Sequence, residues 1–132
     1  MNKIYVAILV LIVLLASLLA VRFILGGNED DWIKDENGIY VEHGSPDGIS
    51  DEVLEQQELI LEALKLYYQK QAEGMEFSSQ CLGDVGDYAI DVVHVPRISD
   101  DDLEENQCES YITGKVKHFI ELDISGNVVR IE

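Results

Sequence analysis

Basic residues are scarce in this chain: nine lysines and arginines stand against 26 aspartates and glutamates in 132 residues, a formal net charge of −17. So acidic a surface repels phosphate backbones, which excludes DNA and RNA as partners and favours a basic protein surface instead. Cysteine is almost absent. Only Cys81 and Cys108 occur, and no Cys-x-x-Cys pair exists, which argues against a thioredoxin-like redox motif and against a zinc ribbon. The glycines are dispersed at turns, so no loop is built to cradle phosphate. No internal repeat and no low-complexity tract is present.

What the chain does have is one long apolar run. From Ile4 to Leu25 the interruptions are Tyr5, Ser17 and Arg22. Roughly 22 residues at about 1.5 Å each would cross a hydrocarbon core of about 30 Å, and a lipid-embedded backbone must satisfy its amides internally as a helix. A cleaved secretory signal would usually have an apolar region of about 7–15 residues ending at spaced small residues. Here Leu18 and Leu25 stand where small residues would be needed before Ala20 and Gly27, and no cysteine follows to carry a lipid. Residues 1–25 are therefore expected to be an uncleaved, single-pass transmembrane signal-anchor that contacts the lipid bilayer through residues 4–25. All 26 acidic residues and seven of the nine basic ones follow this run, giving the remainder a formal charge of about −19. Lys3 precedes the run and Arg22 lies inside its far end, which leaves the positive-inside count near a tie. The cysteines favour an oxidising space. The expected placement is the cell membrane, with the N-terminus cytoplasmic and the C-terminal domain extracytoplasmic.

Beyond the anchor, residues 26–31 read as an acidic linker and 32–49 as a hairpin and turn. Asn37-Gly38 lies between Trp32-Ile33 and Ile39-Tyr40-Val41, the strongest short hairpin signal, and a lone hairpin must pack on something. Residues 50–132 read as an α+β domain. Ser50 can cap a helix whose first turn holds Asp51 and Glu52, whose later turns hold Lys65 and Lys70, and which Gly74 ends. Five β-rich runs follow: 75–82, 88–95, 110–113, 116–123 and 128–131, parted by glycines and by an acidic loop at 98–107. The expected fold class is α+β: an N-terminal transmembrane helix, then one long helix packed on a four- or five-stranded antiparallel sheet. Cys81 and Cys108 fall at strand ends flanking the acidic loop, and are expected to form a disulfide worth about 3.5 kcal/mol for a loop of about 28 residues.

Candidate sites are thin. His94 and His118 both fall on strands, where neighbours could join them into a zinc site with Asp91 or Glu121, but a half-buried, hydrogen-bonded histidine is the plainer reading. Asp100, Asp101, Asp102, Glu104 and Glu105 offer oxygen ligands, with Asp100 and Asp102 as the weak metal candidates, yet the EF-hand order is missing and a solvated loop is expected. Ser78, Ser79 and Ser110 lack a serine elbow or a Ser-x-x-Lys context, and no carboxylate pair stands out. No catalytic residue, cofactor or metal is assigned, and the chain is expected not to be an enzyme.

Asp31-Trp32-Ile33, Asn37-Gly38, Tyr40-Val41 and His43-Gly44-x-Pro46 together resemble an element of small archaeal membrane-anchored proteins, which place such a hairpin after a span or lipid anchor. The likeness covers about 16 residues, and Lys34 stands where those proteins usually carry a cysteine. It implies no activity. Phe119 to Asp123 followed by Gly126 to Val129 looks like the closing hairpin of PepSY-type and cystatin-like exported domains, whose sheets wrap a preceding helix. The functional expectation is an envelope-associated, protein-binding module. The alternatives are a pilin-like structural subunit and a protease-inhibitor-like domain.

Overall fold

Side-chain caps and buried periodicity account for the longest helix beyond the N-terminal run. In the computed structural model, which describes residues 3–25 and 30–132, Ser50 accepts the Val53 amide at 3.4 Å and α2 runs Asp51–Ala72. The Glu73 and Gly74 amides close its last turn on the Gln69 and Gln71 carbonyls. Val53, Gln56, Ala63 and Tyr67 are buried at helical spacing along one face.

That face lies on a four-stranded sheet of β3 (Gln80–Val85), β4 (Tyr88–Val93), β5 (His118–Asp123) and β6 (Val128–Ile131), in spatial order β3-β4-β5-β6. Strand alternation sorts its residues. Ile90, Val92, Ile120, Leu122 and Ile131 meet Ala63 and Tyr67 of α2 in the main core. On the opposite face Ala89 and Phe119 form a smaller cluster with Cys108 and Val116, beside the single helical turn α3 (Glu109–Ile112). Tyr67 donates to the Ile124 carbonyl at 3.0 Å and stacks on Phe77, and a Cβ at Gly126 would lie 2.9 Å from its ring. Only glycine fits there.

The hairpin strands β1 (Asp31–Lys34) and β2 (Tyr40–His43) pair separately. The Asp35 carboxylate accepts the amides of Asn37 and Ile39, each at 2.9 Å, which shapes the turn. The turn is then tied to the domain. Ile131 donates to the Asn37 carbonyl at 2.8 Å, while buried Gln56 donates to Gly38 and accepts from the Tyr40 amide. Gly38 has φ +80°, and a Cβ on it would strike the Ile131 carbonyl at 2.0 Å.

The chain divides into two units, Met1–Asp31 with Glu42–Asp47, and Trp32–Val41 with Gly48–Glu132. The first contains α1 (Lys3–Leu25), whose described side chains are those of residues 4–6 and 8–17. Ile4, Leu9, Ile12 and Leu15 are all exposed, so the helix is apolar with no buried face among the described side chains.

Two parts of the expected fold class are corrected. The sheet is mixed, because β4 and β5 run parallel, with Tyr88 opposite His118 and Val93 opposite Asp123. A strand at 110–113, as the β-rich run there predicts, would carry the chain back across the sheet. Residues 109–112 instead form α3, so the 94–117 segment is a crossover and β5 enters in the direction of β4. The second correction concerns the transmembrane helix. Among the described residues, no helix is long and apolar enough to cross a membrane. The side chains beyond Ser17, and most of the linker expected at 26–31, lie outside the described residues.

Candidate functional site

One recess, of about 470 Å³, opens where the hairpin, α2 and the sheet meet. From α2 come Glu52, Glu55 and Leu59, which share a helical face with buried Gln56. The sheet contributes Tyr88 and His118, register partners on adjacent strands whose rings stack at 4.9 Å. Tyr40 comes from β2, and the Lys34 ammonium of β1 sits 5.0 Å from the centre of its ring. Gln56, holding both sides of the hairpin turn, fixes the floor. Carboxylates and aromatic rings thus converge on one opening, and one ring already carries a cation.

The other face of the sheet holds charge where a core would be expected. Cys81, Asp91, Glu121 and Arg130 are successive register partners across the four strands. The Cys81–Cys108 disulfide forms, with the Cα atoms 4.8 Å apart, and ties β3 to the residue that caps α3. Asp91 and Glu121 are both buried. Asp91 accepts the Cys108 amide at 3.2 Å, while Glu121 pairs with the Arg97 guanidinium at 2.8 Å. Burial is the largest influence on Asp91 and raises its carboxyl; the Cys108 amide opposes this, Glu121 and Asp84 reinforce it, and Arg97 opposes it. The balance pushes the group up to about 6. Among the described residues, Cys81, Asp91 and Cys108 bring their sulfur and carboxylate atoms within 4.8 Å of one another, and the S–S bond commits both sulfurs.

His94 and His118 do not meet. Parallel pairing puts them at opposite ends of β4 and β5, separated by about six residues, roughly 20 Å at about 3.3 Å each. His94 turns instead to Asp101. One Asp101 oxygen accepts the Ser79 hydroxyl at 2.7 Å and the His94 amide at 3.0 Å, and lies 3.0 Å from His94 Nδ1; the other accepts the Ile98 amide at 2.8 Å. Burial would raise this carboxyl, but the donors from Ile98, Ser79 and His94 outweigh it and hold the group well below the usual carboxylate range. Ser, His and Asp are the residue types of a hydrolytic triad, yet the arrangement is different. Ser79 donates its hydroxyl hydrogen bond to the carboxylate and approaches Nδ1, the nitrogen that the carboxylate also faces, so the imidazole is not placed to activate the hydroxyl.

Asp101 turns inward, Asp102 pairs with Arg97, and the Asp100 carbonyl is held by the Asn106 amide at 2.9 Å. The Asp91–Glu121 pair was missed from the sequence. Alternation in Phe119, Glu121 and Asp123 marked a shared strand face, but the partner strand and its direction were not readable from local pattern.

No protein-family model, curated protein or solved structure matches the chain.

Proposed function

We propose that the chain is a non-enzymatic binding module that takes a basic segment of a partner protein into the recess between the hairpin and α2. One observation carries this reading: the Lys34 ammonium rests on the Tyr40 ring inside an opening flanked by Glu52 and Glu55. A ring and two carboxylates placed for an internal cation also suit an incoming lysine or arginine, by attraction to the ring face and by complementary charge. The chain's charge of −17 would speed such an encounter and make it salt-dependent. The Ser79–His94–Asp101 geometry supports the non-enzymatic reading, because its hydroxyl is not activated.

The setting we propose is extracytoplasmic, at a membrane surface. The Cys81–Cys108 bond supports an oxidising space, and the exposed apolar side chains of α1 support contact with lipid.

The test uses the full chain in detergent micelles and two peptides of equal length, one rich in lysine and arginine and one with those positions changed to glutamine. The basic peptide is expected to bind at least tenfold more tightly at low salt, and Glu52→Gln with Glu55→Gln to weaken it about tenfold. Lys34→Gln, which clears the Tyr40 ring, is expected to strengthen binding. Equal affinity for both peptides, or no effect of the glutamate changes, would overturn the proposal.

A further inference from the structure

We propose that Cys81–Cys108 is a reactive disulfide as well as a staple, opened by a dithiol reductant that attacks Cys81 while Asp91 protonates the departing Cys108. The two sulfurs are unequal. Cys108 is 1% exposed, whereas Cys81 is half-buried and lines an open recess of about 440 Å³ with Asp84, Ser110 and Lys115. An external thiolate therefore reaches Cys81 Sγ through a recess where Lys115 favours a negative attacker while Asp84 and Glu109 oppose it.

The surroundings of Cys108 determine what happens to the leaving sulfur. Its Sγ lies 3.6 Å from the Ile90 carbonyl and 3.7 Å from the Gly83 carbonyl. A disulfide sulfur has no hydrogen to offer them, while a thiol has one. A thiolate between two carbonyl oxygens, at 1% exposure, is disfavoured, so Cys108 must gain a proton as it leaves. The adjacent acid is Asp91, whose carboxylate lies within 4.8 Å of both sulfurs and accepts the Cys108 amide. Glu121 from β5 and Asp84 from β3 favour its protonated form, while Arg97 from the loop opposes it. With the carboxyl pushed up to about 6, a usable fraction is protonated near neutral pH.

The step balances. The attacking thiolate forms a bond to Cys81 Sγ as the S–S bond breaks, and Cys108 leaves with the electron pair and takes the Asp91 proton. The reductant's second thiol, as thiolate, then displaces Cys81, which leaves as a thiolate. The protein gains two electrons, the reductant becomes a disulfide, and Asp91 regains its proton from water. The inference is independent of the basic-segment recess, which lies on the α2 side of the sheet.

Dithiothreitol and the full chain in micelles test it. Below a thiol's own pKa the thiolate fraction rises tenfold per pH unit, while above about 6 the protonated Asp91 falls tenfold per unit. From pH 6.5 to 8.0 the reduction rate of the native chain is therefore expected to change by less than about threefold. Asp91→Asn is expected to show a rise of about 30-fold over the same range, and to be slower than the native chain at pH 6.5. The reduced chain is expected to keep its near-ultraviolet circular dichroism and to reoxidise. A native profile that climbs about 30-fold, as the guanidinium-unfolded control does, would overturn the proposal, as would loss of the tertiary signal on reduction. The native profile decides the matter even where Asp91→Asn does not fold.

Discussion

The two faces of the sheet are built from the same strands by alternate residues, yet they serve opposite ends. Toward α2, Ile90, Val92, Ile120 and Leu122 interlock with Ala63 and Tyr67, and stability comes from apolar burial that no proton or reductant changes. Away from α2, the alternate positions hold Asp91 and Glu121 beneath the disulfide, where burial is offset by Arg97 and by the Cys108 amide. Burying carboxylates is costly unless they are paired and hydrogen-bonded. A domain that met this cost only for packing would be better served by apolar residues, and the polar face is where the carboxyl whose charge depends most on pH near neutrality, Asp91, is found.

The comparison breaks first at Ile120, which is fully buried in the α2 face. Ile120→Ala is expected to cost about 4 kcal/mol, the sum of lost transfer energy and the cavity left behind. Urea unfolding of the full chain measures it, and the loss should be the same at pH 5 and pH 8. A loss that varied with pH would mean the two faces are coupled through the sheet.

The limits of α2 and the hairpin turn were legible because their signals are local: Ser50, Gly74 and Asn37-Gly38 each act within a few residues. The disulfide was legible from two cysteines alone. The parallel pairing of β4 and β5 was not, since a four-residue run of β-formers such as Ser110 to Thr113 carries no period that separates strand from helical turn. That one ambiguity reverses the direction of β5. It also hides which residue stands opposite Asp91, and so conceals the carboxylate pair. Ser79, His94 and Asp101 were each visible, but their convergence depends on the loop after β4 folding inward around Asp101.

Asp91 gives the next largest effect, with the opposite sign. Its folded carboxyl stands at about 6, above the ordinary 3.8, so the folded chain binds the proton more tightly than the unfolded one between those values. The group's contribution is fully present below about pH 3.8 and is lost as pH rises through 6. Asp91→Asn, which keeps the Cys108 amide partnered, is expected to be more stable than the native chain by about 2 kcal/mol at pH 7.5. The difference should disappear near pH 3.5. Denaturant midpoints across that range check it, and a gap of constant size would assign the effect to packing.

The smallest effect separates two neighbours in the loop that covers this face. Asp101 is buried, with every partner fixed, and its carboxyl is held below the usual range, so its contribution is present above about pH 4 and is lost as pH falls. Asp102 pairs with Arg97 at 3.0 Å, but its side chain is 69% exposed and water competes for the same charge. Asp102→Asn is therefore expected to change stability by less than about 0.5 kcal/mol, falling further in salt. Arg97 keeps its 2.8 Å bond to buried Glu121 in that variant, and this bond is the one that matters to the face. A loss near 2 kcal/mol for Asp102→Asn would show that Arg97 needs both anions to hold its position, making Asp102 part of the balance that sets Asp91.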